Sequence, residues 1–174
     1  LMTLLASYPE VFRNDQVRVL ENPNALPRAW IVHDVVEATP GFSLVMMDAG
    51  IVDPAKVAFL EPGTDIPILA QPADSSTEQV TVTDYQADEI ELKVTMAADG
   101  LVVFSEIYAG GWAAYVDGEK VPLRRANGLL RAVAVSDGLH TLELRYEPVS
   151  RRAGLYISSG TAGLVVIVFA VFRL

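Results

Sequence analysis

Few residues of this chain are of a type that does chemistry. His33 and His140 are the only imidazoles and cysteine is absent. A thiol nucleophile, a zinc–thiolate site, a Cys-ligated iron–sulfur cluster and any centre needing several histidines are therefore excluded. Asp84, Asp88, Glu89 and Glu91 gather around Tyr85; paired carboxylates serve glycoside hydrolysis, and several oxygens together hold calcium. Their spacing favours neither. Glu89 and Glu91 fall on the polar face of an alternating segment, Asp84 and Asp88 flank a turn, and no EF-hand spacing occurs, so they read as a solvated acidic rim. His140 leads a segment whose alternate members Leu142, Leu144 and Tyr146 are apolar, and reads as a partly buried strand-start residue. His33 lies mid-strand with Asp34 on the opposite face. There is no nucleophile elbow, phosphate loop or HExxH. The expectation is no catalytic residue, no metal site and no cofactor.

Binding offers more candidates. Phe104, Tyr108, Trp112 and Tyr115, interrupted by Gly110-Gly111, have the ring content of a sugar-stacking platform but fit core and corner positions better. Arg124, Arg125 and Arg131 flank Asn127 as the only basic patch of the body, a candidate contact for a lipid headgroup or an acidic partner, with Arg151 and Arg152 further along. Ser159 and Gly163 are four residues apart, as are Ser158 and Ala162. Small residues at that spacing let a second helix approach closely.

The elements that carry these residues divide in two. Leu155 to Phe172 has no formal charge, and Arg151, Arg152 and Arg173 fence it. As a helix it would be about 27 Å long, enough for a bilayer core, and Tyr156 would sit at the interface. Residues 154–173 therefore read as one transmembrane helix. The rest is acidic. Lys and Arg total 13 against 22 Asp and Glu, for a net charge of −9, which excludes the basic face of a nucleic-acid binder. Arg151 and Arg152 outnumber Arg173, which taken alone favours a cytoplasmic body. The chain opens Leu1-Met2, and Leu1 to Tyr8 lacks the charged start and apolar length of a signal peptide, so it reads as part of a longer or processed chain.

In the body the dominant period is two. Glu89 to Met96 and Thr141 to Glu147 alternate apolar and polar without a break, and Gln79 to Thr83 alternates around Val80 and Val82, the pattern of half-buried antiparallel strands. Leu101 to Ile107 and Leu129 to Val135 are more continuously apolar, as strands nearer a sheet centre are. Asp99-Gly100, Asp117-Gly118, Asn127-Gly128 and Asp137-Gly138 predict consecutive hairpins on primed turns. Earlier, Val17 to Leu20 and Ala29 to Val36 read as strands, Phe42 to Gly50 as a short helix, Lys56 to Leu60 as a strand and Pro62 to Thr77 as a loop. The expected fold is mainly β: an antiparallel sandwich of jelly-roll or immunoglobulin-like type over 76–150, with a mixed α/β part over 1–75 packed on it and one C-terminal transmembrane helix.

Several segments resemble a known family. Val19 to Trp30, with its Asn-Pro-Asn-Ala-Leu-Pro-Arg-Ala core, resembles a stretch of the YfhO-like bacterial membrane proteins. So, in the same order, do Leu101 to Tyr108, Gly111-Trp112, Tyr115-Val116-Asp117-Gly118, Arg125-Ala126-Asn127, Arg131-Ala132-Val133, Gly138-Leu139-His140 and Arg145-Tyr146-Glu147-Pro148. The departure is Ala109-Gly110, where the family usually has Tyr-Pro. The resemblance implies a β-rich extracytoplasmic domain that follows a many-span region and is closed by a last transmembrane helix. It also implies a link to lipid-linked sugar transfer in cell-envelope glycan assembly. It carries no catalytic residue onto this chain, and it turns the orientation toward the outer side of the bacterial cytoplasmic membrane.

Two readings follow. One is a non-catalytic, membrane-anchored β-sandwich acting as an accessory subunit or interaction domain of a larger membrane complex. The other is the terminal domain of a polytopic glycosyltransferase-like protein. Both expect membrane lipid and other membrane subunits as partners, and neither expects nucleic acid.

Overall fold

The computed structural model describes residues 8–65 and 69–172. Strands β1 (Glu10–Arg13) and β2 (Arg18–Leu20) form a separate hairpin. Next come β3 (Ala29–Val32), β4 (Asp34–Glu37), helix α1 (Pro40–Asp48) and β5 (Val57–Leu60). From residue 79 the chain is nearly all strand: β6 (Gln79–Tyr85), β7 (Glu89–Met96), β8 (Gly100–Ile107), β9 (Trp112–Val116), β10 (Glu119–Val121), β11 (Arg124–Ala126), β12 (Leu130–Val135) and β13 (Gly138–Tyr146), before helix α2 (Val149–Phe172).

Two layers result. One is an antiparallel sheet in the order β10-β9-β13-β7-β6; the other has six strands in the order β3-β8-β12-β11-β5-β4. Alternation fixes the first. Ile90, Leu92, Val94 and Met96 of β7 are buried while the residues between them are not, and with Leu142 and Leu144 they meet Val102, Phe104, Val133 and Val135 of the second layer. The continuous apolar run of β8 has a different cause: Val102 and Phe104 face the first layer, whereas Leu101 and Val103 join Trp30, Val32, Ala58 and Leu60 in a second core. A strand buried on both faces needs no polar side.

The second layer is not an open sandwich sheet. β3 and β4 stand at its opposite edges, yet only His33 separates them. A flat sheet would put those edges about 24 Å apart, whereas residues 32 and 34 can be no more than about 7 Å apart. The sheet therefore curls until its edges meet at His33, and the second core fills the curl. This corrects the reading of Ala29 to Val36 as one strand: the chain turns a corner at His33 so that β3 pairs with β8 and β4 with β5. It also departs from a jelly-roll or immunoglobulin-like sandwich, as does the parallel β4–β5 pair joined through α1. The first 75 residues thus supply three of the six strands. The expected short helix is present, opened by Pro at its first turn and followed by Gly50 at φ 66°.

The turn dipeptides divide by topology. Asp117-Gly118 and Asn127-Gly128 close true hairpins, β9–β10 and β11–β12, and both residues of each have positive φ. Asp99-Gly100 and Asp137-Gly138 instead carry the chain between layers, from β7 to β8 and from β12 to β13, and neither aspartate has positive φ. The primed-turn twist is needed only where a strand returns beside its predecessor, so two of the four predicted hairpins are crossings. Gly100 is required there for space: a Cβ would lie 2.6 Å from Met96 Cε and 2.8 Å from His33 Cε1.

Val149–Phe172 is one continuous helix, about 36 Å long at 1.5 Å per residue. Among the described residues no helix is long and apolar enough to cross a membrane. The expected span over 154–173 is therefore not shown; residue 173 and the side chains of Leu155, Tyr156, Val166, Phe169 and Phe172 lie outside the described residues.

Candidate functional site

Both histidines come to one end of the molecule, the end where β7, β9 and β12 finish. His33 is held by the corner between β3 and β4. Its Nε2 is 2.8 Å from Glu78 Oε1, which also accepts from the Ala97 N–H at 3.2 Å, and its Nδ1 is 3.1 Å from the Asp99 carbonyl oxygen. His140, at the start of β13, places Nδ1 2.7 Å from Asp117 Oδ2 and Nε2 3.3 Å from Ser136 Oγ. The β9–β13 register makes this contact, since Asp117 follows Val116, the partner of Leu142. Asp117 Oδ1 then accepts the Thr141 N–H at 2.9 Å.

The order Ser136, His140, Asp117 is that of a hydrolase triad. Its proton inventory is different. A general base must turn a bare nitrogen to the hydroxyl, but His140 Nε2 is also 3.1 Å from the Asp137 carbonyl oxygen, which can only accept. With a carboxylate on one nitrogen and a carbonyl on the other, the ring is suited to donate on both sides as an imidazolium. The hydrogen bond to Asp117 accordingly raises the His140 pKa above the ordinary histidine value, helped by the Asp137 carbonyl and opposed by burial. Asp117 is lowered by its bond to His140 and then by the Thr141 N–H. In that state the ring ties the β9–β10 turn to the β12–β13 crossing and has no lone pair to take the Ser136 proton. An open cleft of about 460 Å³ lies beside it, with Glu119 and Val121 on its wall. Among the described residues no three acidic or histidine side chains are set to hold a metal ion.

The arginines occupy the opposite half and are each engaged. Arg124 Nε donates to the Asp65 carbonyl at 2.9 Å. Arg125 Nη1 lies 3.1 Å from Glu61 Oε1, its guanidinium 5.0 Å from the Tyr108 ring centre. Arg131, the cross-strand partner of Arg125, donates from Nε to the Ile107 carbonyl at 2.9 Å and stacks 4.0 Å over the Trp112 ring. Arg124 and Arg125 share an open cleft of about 330 Å³ with Tyr108 and Thr64, while Arg131 is buried. The side chains of Arg151 and Arg152 lie outside the described residues. On α2, Ser158, Ser159, Ala162 and Gly163 are all exposed, and a Cβ at Gly163 would meet nothing within 4 Å.

The acidic quartet stays together at the β6–β7 turn, with Asp84 opposite Glu91 in the register, whereas the aromatic run is dispersed. Glu89 lies 3.3 Å from Arg145 Nε, and Asp84 and Asp88 are exposed. Phe104 is core, Trp112 packs 5.5 Å from Tyr146, and Tyr115 donates its hydroxyl to Glu147. Composition gave no hint of Asp117, Ser136 and Glu78 as histidine partners. The available signal was the alternation of β9 and β13, which, once paired, puts the Asp117 turn beside the start of β13.

Comparison with known families finds that the family Bacterial membrane protein YfhO matches residues 68–158. Comparison with curated proteins and with solved structures finds no match.

Proposed function

The chain belongs to the YfhO family of bacterial membrane proteins, and from that premise we propose that it is an extracytoplasmic β module that works by contact within a larger membrane assembly, with α2 as its anchor. The observation that carries this reading is the state of α2. Ile157, Leu164, Val165, Ile167, Val168 and Val171 are all exposed, so more apolar surface than a water-facing helix would present awaits a cover that the β layers do not provide. Arg151, Arg152 and Arg173 fence the run as arginines fence spans, and the small face of Ser158, Ser159, Ala162 and Gly163 suits packing on another helix. The contact role is supported by the chemistry of the β layers: Arg124 and Arg125 pair with acids, Arg131 with a carbonyl and a ring, and His140 has both nitrogens occupied.

A second reading makes the same module the terminal domain of a polytopic glycosyltransferase-like protein of envelope glycan assembly. It is favoured by the reach of the family match, residues 68–158, which takes in β6 to β13 and the start of α2. Native mass spectrometry of the polypeptide, released gently from its own membrane, separates the two. A mass near 18.8 kDa in a stable complex supports an accessory subunit; a mass several-fold larger supports the terminal domain. A monomer of the smaller mass that captures no other subunit overturns the contact role.

A further inference from the structure

The end of the molecule from which α2 departs carries an apolar and aromatic foot, and the geometry points to the bilayer surface as what covers it. This inference rests on the anchor reading above. β13 ends at Tyr146, whose ring packs 5.5 Å from Trp112, and Pro148 lies against Gly111. Across the layer boundary Arg131 stacks on Trp112 and binds the Ile107 carbonyl, and the Tyr108 N–H donates to the Leu129 carbonyl. Gly128 meets Pro40, Ser43 and Leu44 at the first turn of α1. These contacts join α1, the β11–β12 turn, the β8–β9 corner and the root of α2 into one continuous surface.

That surface is apolar where it is open. Phe42 is 52% exposed, Leu129 51% and Ile107 67%, with tyrosine and tryptophan behind them, the side chains enriched at membrane interfaces. Two of its ion pairs are internal, Arg28 with Glu106 and Arg125 with Glu61. Asp84 and Asp88 of the β6–β7 turn stand exposed at the same end, the Tyr146 N–H donating to the Asp88 carbonyl, and Arg151 and Arg152 follow in sequence at the root of α2. Attraction to lipid would therefore come from apolar insertion and ring placement, with those two acids and two arginines offsetting one another. The opposite end holds the histidine–carboxylate contacts of His33, Glu78, Asp99, Asp117 and His140, with Leu139 as its exposed apolar side chain. A helix that enters the bilayer from the foot's end presses the foot, and not the histidine end, against the headgroups.

The chain has no cysteine, so single-cysteine variants of the full chain report position cleanly. Phe42→Cys and Leu129→Cys probe the foot, Leu139→Cys the far end and Ile167→Cys the helix. Each carries an environment-sensitive dye in vesicles of phosphatidylcholine, and in vesicles of phosphatidylethanolamine with phosphatidylglycerol, doped with nitroxide lipids. Expected is headgroup-nitroxide quenching at Phe42 and Leu129 about twofold or more above that at Leu139, similar in both lipid mixtures. Quenching of Trp112 by brominated lipid in a Trp30→Phe background gives a label-free second reading. If Ile167 is quenched by deep nitroxides while Phe42 and Leu129 match Leu139, the foot is overturned and the anchor stands. If Ile167 is not quenched, the anchor fails and the inference falls with it. If Phe42 and Leu129 are shielded from water but not quenched by lipid, protein covers them, whether a second copy or another subunit, and the bilayer assignment is overturned.

Discussion

Asn127 pairs with Phe59 through both backbone and side chain: the Phe59 N–H donates to Asn127 Oδ1 at 2.8 Å, and the Asn127 N–H donates to the Phe59 carbonyl at 2.8 Å. β5 and β11 share only the Ala126–Leu60 rung, so this side chain extends the ladder where the curled sheet would otherwise loosen. The residue also takes φ 52°, which Asn tolerates better than most. Asn127→Gly keeps the backbone and leaves the buried Phe59 N–H without an acceptor, a loss of about 1–3 kcal/mol. Asn127→Ala adds left-handed strain of about 1 kcal/mol or more. Urea unfolding should rank wild type above Asn127→Gly above Asn127→Ala; equal midpoints for wild type and the glycine variant would dismiss the side-chain role.

The His140 clasp gives stability a defined pH window. The His140 pKa is raised by Asp117, so its contribution is complete below about 6.5, the unfolded value, and is lost as pH rises through the higher folded value. Asp117 is lowered by His140, so its contribution is present above about 3.9 and lost as pH falls through the lower folded value. The pair is worth most between roughly pH 4 and 6.5. Because Asp117 is half exposed, the effect is on the order of 0.5–1 kcal/mol after solvent screening. Thermal melts from pH 5 to pH 9 should show a decline in wild type that His140→Gln lacks; parallel curves would refute the clasp.

What the sequence disclosed, and what it did not, follows from which interactions are local. The alternation of Glu89 to Met96 placed Ile90, Leu92, Val94 and Met96 on one face, and the structure buries those four. The uninterrupted run of Leu101 to Phe104 announced burial on both faces but not that the faces belong to two cores. His33 looked like a mid-strand residue because nothing near it in sequence marks a corner; the corner exists because distant strands close the sheet there. The same holds for the arginines. Their clustering was visible, whereas the acids that pair with Arg124 and Arg125 stand at Asp65 and Glu61, in a stretch with no periodicity to position it. Asp-Gly dipeptides told where the chain turns, but only pairing decides whether a turn returns beside its strand or crosses to the next layer.

Arg131 is the side chain that fastens the two layers at the α2 end. Its guanidinium covers Trp112 in the first layer while its Nε holds the Ile107 carbonyl in the second. Arg131→Met keeps most of the stem but loses the stack and strands that carbonyl, a cost of about 2 kcal/mol. The change should lower the melting temperature by roughly 4–8 °C for a chain of this size and shift the emission of Trp112 to the red. Arg131→Lys should recover little, because an ammonium cannot lie flat on the ring. A lysine variant as stable as wild type would mean that charge alone suffices.

The two glycines of the β8–β9 corner should respond oppositely to a methyl group. Gly110 has open space around it, whereas a Cβ at Gly111 would sit 2.8 Å from the Tyr146 ring and 3.4 Å from Pro148 Cα, on a backbone at φ 93°. Gly110→Ala should fall within about 0.5 kcal/mol of wild type. Gly111→Ala must accept both the forbidden backbone and the displacement of Tyr146 from Trp112, about 2–4 kcal/mol together. Because Pro148 cannot move without moving the root of α2, the strain passes into the helix that follows. The two components separate in a double variant: Tyr146→Leu on the Gly111→Ala background relieves the ring clash but not the φ strain, so it should regain part of the loss and never all of it. Full recovery would place the whole effect in the ring contact, and no recovery would place it in the backbone.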